Sequence, residues 1–277
     1  MQFFVNTSEE VGVKKINLGK IMDLDAQHYR KHSQQQYNRA RSLFNPGYFH
    51  EGAHVLDVGC GDGKITAEVA SLVPNGRVLG IDASPNMIHL ANKTFSLPNL
   101  EFQCMNAEEI SMLDSFDSIL CFNCLLWIRK PKQVLDRLSK LLKPGGKLMI
   151  LTYLKESAYV EFLEKTLDQF PAYKKLSAAR TMLTLEAHRN ILESNNLQIQ
   201  SFEIQDLASY YSNVEDLMNY LKGWIRSYVP MSEEQQNEFL HQAAYNCFNS
   251  ITYQAGSSIR LPYRTLTIKA IRKNSHE

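Results

Sequence analysis

Short apolar runs alternate with amphipathic stretches between residues 54 and 153, and this alternation predicts strands separated by helices. The strands are predicted at 55–58, 77–81, 100–104, 118–122 and 147–153, and the helices at 64–73, 85–95 and 131–142. Ser84 suits the N-cap of the second helix, because Pro85 follows at its first position. Strands that alternate with helices form a parallel sheet with helices on both faces. The predicted fold class is therefore α/β.

The pattern changes on both sides of this region. Residues 25–44 are polar with spaced aromatic side chains, and they predict one or two helices ahead of the core. Further helices are predicted at 157–170, 178–195, 213–228 and from 231 onward, and strands at 197–207 and 261–272. We expect these two strands to be the sixth and seventh of one sheet, with the last strand antiparallel. The expected organisation is a cap segment at 1–47, a core at 48–155, and a helical lid with the last two strands at 156–277.

A glycine turn joins the first predicted strand to the first helix. Gly59, Gly61 and Gly63 let a ligand approach the backbone and the N–H groups of the helix. Asp57 places a carboxylate just before the turn. Asp82 ends the second strand about 20 positions later, where a carboxylate can accept hydrogen bonds from ribose hydroxyls. The alternative for Asp82 is a structural role as a helix cap.

Three motifs in this order resemble those of the class I S-adenosylmethionine-dependent methyltransferases. They are the D-x-G-x-G-x-G stretch at 57–63, the acidic end of the second strand, and the L-K-P-G-G turn at 142–146. The resemblance implies a seven-stranded Rossmann-like sheet, S-adenosylmethionine as cofactor and S-adenosylhomocysteine as product. A nicotinamide dehydrogenase is disfavoured, because its fingerprint is G-x-G-x-x-G/A and the third glycine here comes one residue early.

The resemblance also implies a cofactor site. Asp82 would bind the ribose, Asp57 would accept from the methionine ammonium, and the backbone of Gly59, Cys60 and Gly61 would lie close to the ligand. The other cofactor residues would be Tyr29, Ala83, Met87, Asn106, Ala107 and Phe122. Asn106 stands where the family usually has an acidic residue, and its amide oxygen can accept from the adenine amino group. Met87 could equally belong to the hydrophobic core.

The chemistry of methyl transfer constrains the acceptor. Displacement at a sulfonium requires mainly positioning and dehydration of the nucleophile. A carboxylic acid is already ionised near neutral pH and needs no base, whereas an amine or a phenol usually does. Residues 122–128 contain no titratable group apart from Cys124. This favours a carboxylate acceptor, and no catalytic residue is assigned beyond positioning.

Two closer resemblances point to the same acceptor class. C-F-N-C-L-L-W at 121–127 and Y-x3-S-x2-Q-x3-A at 29–40 are similar to stretches of the juvenile hormone acid O-methyltransferases. That resemblance implies that Gln36 and Trp127 hold the carboxylate of a small organic acid. The trans-aconitate methyltransferases, which also esterify a small carboxylate, are similar over a wider part of the chain, including the final strand.

Several alternatives stay open. Leu126 and Arg39 replace a His and an Asp of the juvenile hormone acid family. Trp127 could be a core aromatic residue, and Gln36 and Tyr29 could lie on the surface of a solvated helix. Methylation of nitrogen or carbon would require a titratable side chain near the sulfonium, and a protein that binds the cofactor without transfer is a further possibility. In the lid, Trp224 and Arg226 could meet an acceptor, as could Arg180, Arg189, Arg260 and Arg264.

Composition excludes several other classes. A net charge of +1 with scattered Lys and Arg gives no case for nucleic acid or an anionic membrane surface. No stretch has the length of a membrane span or of a signal peptide. The five cysteines lack zinc-ribbon spacing, and Cys121-x-x-Cys124 is interpreted as a structural pair, so we expect no metal site. These features predict a cytoplasmic protein with reduced thiols, and they carry no signal for its oligomeric state.

Overall fold

The computed structural model of the chain describes residues 25–111, 115–154, 157–171, 174, 182–223, 233–250 and 258–274. Its strands are β1 (His54–Val58), β2 (Arg77–Asp82), β3 (Leu100–Cys104), β4 (Phe116–Phe122), β5 (Leu142–Tyr153), β6 (Leu197–Tyr211) and β7 (Ile259–Arg272). The α-helices are α1 (Ala26–His32), α2 (Gln34–Arg41), α3 (Lys64–Leu72), α4 (Pro85–Thr94), α5 (Pro131–Leu141), α6 (Ala158–Leu167), α7 (Leu185–Ser194), α8 (Val214–Lys222) and α9 (Glu233–Ser250). Short 3-10 helices span Pro46–Tyr48, Ala107–Glu109 and Leu125–Trp127.

The strands form one seven-stranded sheet in the order β3-β2-β1-β4-β5-β7-β6. Strands β1 to β5 pair in parallel, whereas β7 is antiparallel to both β5 and β6. The predicted α/β class and the antiparallel last strand are therefore confirmed. The strand order reverses between β1 and β4, and ligands of open α/β sheets bind beside such a point, at the carboxyl ends of the strands.

Two hydrophobic cores cover the two faces of this sheet. Successive residues of a strand point to opposite faces, so Leu56 of β1 packs in one core with Leu138 of α5. Its neighbour Val55 packs in the other core with Val69 of α3. Burial on both faces explains why these strands are continuous apolar runs in the sequence.

The last two strands are longer than the sequence pattern predicts. The pairing of β5 with β7 ends where Tyr153 meets Thr265, but β6 and β7 continue together as a two-stranded ribbon to the pair Tyr211 and Ile259. The ribbon packs against α6, α8 and α9 in a further core that includes Phe162, Leu217, Phe239 and Leu261. This core holds together the described helices of the predicted lid, except α7.

Other element boundaries also differ from the predictions. Strand β5 begins at Leu142, before the predicted start at 147, and the register of its pairing with β4 shifts between Phe116 and Ser118. The helices predicted at 157–170, 178–195 and 213–228 correspond to the narrower α6, α7 and α8. Arg180, Trp224, Arg226 and the start of the helix predicted from 231 lie outside the described residues.

Candidate functional site

A cleft of about 180 Å³ opens at the carboxyl ends of β1, β2, β3 and β4. Every residue predicted for the site lines this cleft: Tyr29, Gln36, Asp57, Gly59, Cys60, Gly61, Asp82, Ala83, Met87, Asn106, Ala107, Phe122 and Trp127. The structure thus brings them together from α1, α2 and four strand ends, and their individual binding roles stay predictions. Residues that the sequence did not single out also line the cleft, notably Asp62, Glu108 and Asn123.

The glycine turn between β1 and α3 is held tightly against β2. The N–H groups of Gly59 and Cys60 both donate to the carbonyl oxygen of Ile81, at 2.8 and 3.0 Å. Gly59, Gly61 and Gly63 all have positive φ angles, of 74°, 55° and 80°. A residue with a side chain rarely adopts this left-handed conformation, so the backbone itself requires glycines here.

The three glycines make room for different neighbours. A Cβ atom at Gly59 would lie 2.6 Å from the thiol of Cys124, and one at Gly63 would lie 2.6 Å from Phe102. These two positions serve internal packing. At Gly61 the nearest atom is 3.9 Å away, on the ring of Tyr29. Gly61 is therefore the glycine of the turn that faces open space in the cleft.

The carboxylate of Asp82 fastens the same turn. It accepts hydrogen bonds from the N–H groups of Gly61 at 3.0 Å and Ser84 at 2.8 Å. Ser84, not Asp82, is the N-cap of α4, since its side chain accepts from the N–H of Met87. The helix-cap alternative for Asp82 is therefore wrong. Burial raises the pKa of Asp82, and the two N–H donors oppose that shift.

Asp57 lies under the turn and is buried. Its carboxylate accepts a hydrogen bond from Thr66 Oγ1 at 2.7 Å. Burial raises the pKa of Asp57 to about 6 and the charge of Asp82 adds to the rise, while the Thr66 bond opposes it. Two neighbouring acids with raised pKa values are typical of a ligand site that binds positively charged or hydrogen-donating groups.

Helices α1 and α2 cover the cleft from the side opposite to the sheet. Tyr29 lies above Gly61, and burial together with Asp62 and Asp82 raises the pKa of its hydroxyl. Helix α1 is tied to α4 by a bond of 2.7 Å from Arg30 to Thr94, and to α8 by a contact of 2.6 Å between His28 Nε2 and the carbonyl oxygen of residue 219. Helix α1 is thus packed on the body and is not a solvated helix.

The opposite wall of the cleft combines apolar and amide groups. Met87 is 1 % exposed and packs with Ala26 and Leu90 beneath Tyr29, so it belongs to a small core and lines the cleft as well. The Asn106 amide oxygen accepts from the N–H of Glu108 at 3.0 Å. A carbonyl oxygen has two lone pairs, so this bond leaves room for one further donor.

Amide and indole groups also line the cleft. They belong to Gln36 of α2 and to Asn123 and Trp127 after β4. Asn123 has a φ of 53°, and its side-chain oxygen is buried without a hydrogen-bond partner. The sequence did carry a signal for Asn123, because it is a polar residue placed directly after the buried strand β4.

Two titratable side chains of the cleft, Tyr37 and Cys124, hold their protons near neutral pH. A hydrogen bond with Cys121 and burial raise the pKa of the Cys124 thiol well above its usual range. A hydrogen bond to Glu68 is the main cause of the raised pKa of Tyr37. No histidine occurs among the described residues that line the cleft.

These residues fit S-adenosylmethionine. The open space at Gly61, bordered by Asp57 and Asp82 on one side and Tyr29 on the other, can accept a ligand that brings hydroxyl or ammonium donors. The apolar side chain of Met87 suits the face of a base, and the amide of Asn106 suits its edge.

Comparison with known proteins agrees with this geometry. A family model described as a methyltransferase domain matches residues 49–210. The chain belongs to this methyltransferase family. The match includes β1 to β5 and most of β6, so it contains the glycine turn, Asp82 and the loop after β4. The sequence-based assignment to the S-adenosylmethionine-dependent methyltransferases, and the cofactor it implies, are confirmed.

Relatives of this methyltransferase carry related names. A putative methyltransferase, 235L, of Invertebrate iridescent virus 6 is 32% identical over 51% of this chain and 52% of its own. The trans-aconitate 2-methyltransferase of Deinococcus radiodurans is 30% identical over 62% of this chain and 68% of its own. A malonyl-[acyl-carrier protein] O-methyltransferase of Ilyobacter polytropus is 27% identical over 61% and 64% of the two chains. The chain thus spans about half to two thirds of the length of these relatives.

A solved structure shares the fold of this methyltransferase. The YcgJ protein of Bacillus subtilis superposes with a TM-score of 0.60 at 19% identity, over 88% of this chain and all of that one. Among the described residues, none of the helices combines the length and apolar character needed to cross a membrane. In the same residues, no group of three or more His, Cys, Asp or Glu side chains is suited to a metal ion.

Proposed function

We propose that the protein transfers the methyl group of S-adenosylmethionine to the carboxylate of a small organic acid. The proposal is carried by Gln36, Asn123 and Trp127, which line the cleft and provide amide and indole groups. In the proposal these side chains form the acceptor end of the cleft. Tyr37 and Cys124 also line the cleft, and both have raised pKa values that make them poor bases near neutral pH. A site that can orient an acceptor without deprotonating it suits an acceptor that is already ionised.

A carboxylate meets this condition, because its pKa is about 4. An amine or a phenol is mostly protonated at neutral pH and would need a base within hydrogen-bond reach. Neutral N–H donors suit the carboxylate for a further reason: they orient it without the strong charge pairing of an arginine, which would weaken the nucleophile. The relatives named for trans-aconitate and malonyl groups support the same acceptor class.

S-adenosylmethionine, when bound, supplies an electrophilic methyl group on its sulfonium. In our proposal Asp82 holds the ribose, Asp57 accepts from the ammonium group, and Met87 and Asn106 hold the adenine. The contribution of the chain is positioning and exclusion of water. Helices α1 and α2 contribute to both ends of the cleft, since Tyr29 of α1 covers the glycine turn and Gln36 of α2 lies at the acceptor end.

The direct test is transfer of a tritiated methyl group from S-adenosylmethionine to a panel of acceptors. The panel contains trans-aconitate, a malonyl thioester, dodecanoate, farnesoate, a primary amine and a phenol. We expect label in one or more acids, released as volatile methanol by mild alkali. Label in an alkali-stable product would indicate methylation of nitrogen, carbon or a phenol oxygen. Tight S-adenosylhomocysteine binding without transfer to any acceptor would indicate a binding protein. Either result contradicts the proposal.

A substitution at Gln36 tests where the acid binds. Gln36→Glu keeps the shape of the side chain but places a negative charge beside the carboxylate, so the KM for the acid should rise by about tenfold or more. S-adenosylhomocysteine affinity should stay within about twofold of wild type. Gln34→Glu is the matched control, because it makes the same change at an exposed position of the same helix. Equal KM values for the two variants would place the acid elsewhere.

A further inference from the structure

One carboxylate bridges the loop after β3 and the loop after β4. Glu108 belongs to the 3-10 helix Ala107–Glu109, shortly after β3, and it lines the cleft. Its Oε1 accepts hydrogen bonds from the N–H groups of Arg129 at 2.7 Å and Lys130 at 3.3 Å. These two residues lie between β4 and the start of α5. Glu108 therefore ties the ends of two strands together beside the cleft.

The backbone of Glu108 is itself fixed on three sides. The side-chain oxygen of Asn106 caps the 3-10 helix and accepts from the N–H of Glu108 at 3.0 Å. The carbonyl oxygen of Glu108 accepts from the guanidinium of Arg137 in α5. The preceding residue, Ala107, is buried in the same core as Ile128. A carboxylate on a backbone restrained in this way can hold the second loop in place.

The loop that Glu108 holds carries Trp127, two positions before Arg129. At the start of this loop the N–H of Asn123 donates to the carbonyl oxygen of Leu151 at 2.7 Å. At its end the two N–H groups bound by Glu108 lead into α5, and the amides at a helix N-terminus favour a negative charge. Trp127 thus lies between a main-chain anchor on β5 and a side-chain anchor on Glu108.

The other side of the bridge is the proposed adenine site. In the proposed function the amide of Asn106 binds adenine, and the same amide oxygen already accepts from the N–H of Glu108. A base bound there would restrain the 3-10 helix, and with it the carboxylate of Glu108 and the loop of Trp127. A protein that one ligand has rigidified loses less conformational entropy when a second ligand binds. Cofactor binding would therefore prepare Trp127 for the acceptor.

We propose that Glu108 couples cofactor binding to acceptor binding, because it transmits restraint from the adenine site to the loop of Trp127. This inference rests on the proposed function, which seats the acid at Trp127. Glu108 acts through the main chain of the loop, so it is a positioning residue and not a catalytic one. The acid then binds the cofactor-loaded protein more tightly than the free protein. Coupling is reciprocal, so the acid also strengthens the binding of S-adenosylhomocysteine.

The experiment uses the full chain, S-adenosylhomocysteine and the panel acid that the wild type methylates most efficiently. We compare Glu108→Ala, Glu108→Gln, Trp127→Phe and the double variant Glu108→Ala with Trp127→Phe. Asp117→Ala is the matched control, because Asp117 also accepts from a distant backbone N–H, that of His54 at 2.8 Å, at the amino ends of β4 and β1.

Four quantities are measured for each variant. They are the KM for the acid, the melting temperature, the S-adenosylhomocysteine affinity by calorimetry with and without saturating acid, and the hydrogen-exchange rate of the amides of Arg129 and Lys130 with and without S-adenosylhomocysteine. The ratio of the two affinities is the coupling factor. The ratio of the two exchange rates is the protection factor, and its measurement needs no acceptor.

In the wild type we expect a coupling factor and a protection factor of about ten each. Glu108→Ala should reduce both to about one and raise the KM for the acid about tenfold, as for loss of a charge-assisted hydrogen bond. Its affinity for S-adenosylhomocysteine alone should stay within about twofold of wild type. Glu108→Gln keeps an acceptor oxygen without the charge, so its factors should be about three.

Two variants separate positioning from a structural role. In the Trp127→Phe background, Glu108→Ala should have no further effect on the KM for the acid. Asp117→Ala should lower the melting temperature but keep the wild-type coupling and protection factors. A merely structural role of Glu108 would give the result of Asp117→Ala: a lower melting temperature with both factors intact.

The outcomes separate the coupling from the proposed function. If the wild type methylates an acid but shows neither factor, or if Glu108→Ala keeps both factors, the coupling is refuted and the function stands. If Glu108→Ala does not fold, wild-type factors in Glu108→Gln refute the coupling in the same way. If the wild type methylates no acid, the proposed function fails, and a protection factor that survives in Glu108→Ala overturns the role of Glu108 on separate grounds.

Discussion

The carboxylate of Asp82 accepts a hydrogen bond of 3.0 Å from the N–H of Gly61, across 21 positions of the chain. The contact joins the end of β2 to the centre of the glycine turn, and the same carboxylate accepts from the N–H of Ser84, the N-cap of α4. One side chain therefore fixes the turn and places a negative charge at the edge of the cleft. Substitution of Asp82 can separate these two functions, fixing the turn and placing the charge.

Asp82→Asn keeps the shape of the side chain but removes the charge and one acceptor. We expect S-adenosylhomocysteine to bind roughly 10- to 100-fold more weakly, the range for loss of a charge-assisted hydrogen bond. Calorimetric titration measures this directly. Asp206→Asn is the control, because that carboxylate lies on the surface of β6 in an ion pair with Arg264. Unchanged affinity in Asp82→Asn would mean that the ribose does not bind there.

The glycines of the turn should differ when each is replaced by alanine. At Gly61 the added methyl group meets no protein atom closer than 3.9 Å. The free energy of unfolding should therefore fall only by the cost of placing alanine in the left-handed conformation, about 1–2 kcal/mol. The methyl group would instead occupy ligand space and weaken cofactor binding. At Gly63 it would collide with Phe102.

Urea unfolding and cofactor titration of the two variants test this difference. Gly63→Ala should be the less stable of the two, because its methyl group collides within the core. When only the folded molecules are compared, Gly61→Ala should bind S-adenosylhomocysteine more weakly than Gly63→Ala. Equal stability of the two variants would contradict the assignment of Gly63 to packing.

The sequence predicted the parallel core and the cofactor end of the cleft, because both depend on local patterns. Each of these patterns lies within a few residues of the sequence: the glycine spacing, Asp82 at the end of a strand, and Ser84 before Pro85. The acceptor end is different. Tyr220 of α8 lies 3.2 Å from Gln36, because a ribbon that extends past the sheet carries α8 against α1 and α2. No periodicity in residues 197–222 encodes that placement. Asn123 carries a local signal of the same kind, because it is a polar residue directly after β4.

Asn123 and Asn196 provide a matched pair, since both have left-handed backbones, with φ angles of 53° and 60°. Glycine adopts this conformation freely, so Asn123→Gly and Asn196→Gly should both keep melting temperatures near that of wild type. Asn123→Gly also removes an amide from the acceptor end of the cleft, and we expect the KM for the acid to rise about three- to tenfold. Asn196→Gly, in an exposed turn, should leave KM unchanged. Equal KM values for the two variants would exclude Asn123 from acceptor binding.

The raised pKa of Asp57 predicts how stability depends on pH. Burial raises this pKa to about 6, above its usual value of 3.8. Folding therefore favours the protonated carboxyl, and the stability it contributes is fully present below pH 4 and is lost as pH rises through 6. The expected loss from this group is roughly 3 kcal/mol, from about two pKa units at 1.36 kcal/mol each. Urea unfolding of the cofactor-free protein between pH 4 and 7.5 measures it.

Cofactor binding should depend on pH in the opposite direction. If Asp57 accepts from the ammonium group of the cofactor, its ionised form binds best, so S-adenosylhomocysteine affinity should increase as pH rises through 6. Asp57→Asn should remove both effects: it should be more stable than wild type at pH 7 and should bind the ligand weakly at every pH. If the variant keeps the wild-type dependence of stability on pH, the titration belongs instead to Asp62 and Asp82, whose pKa values burial also raises.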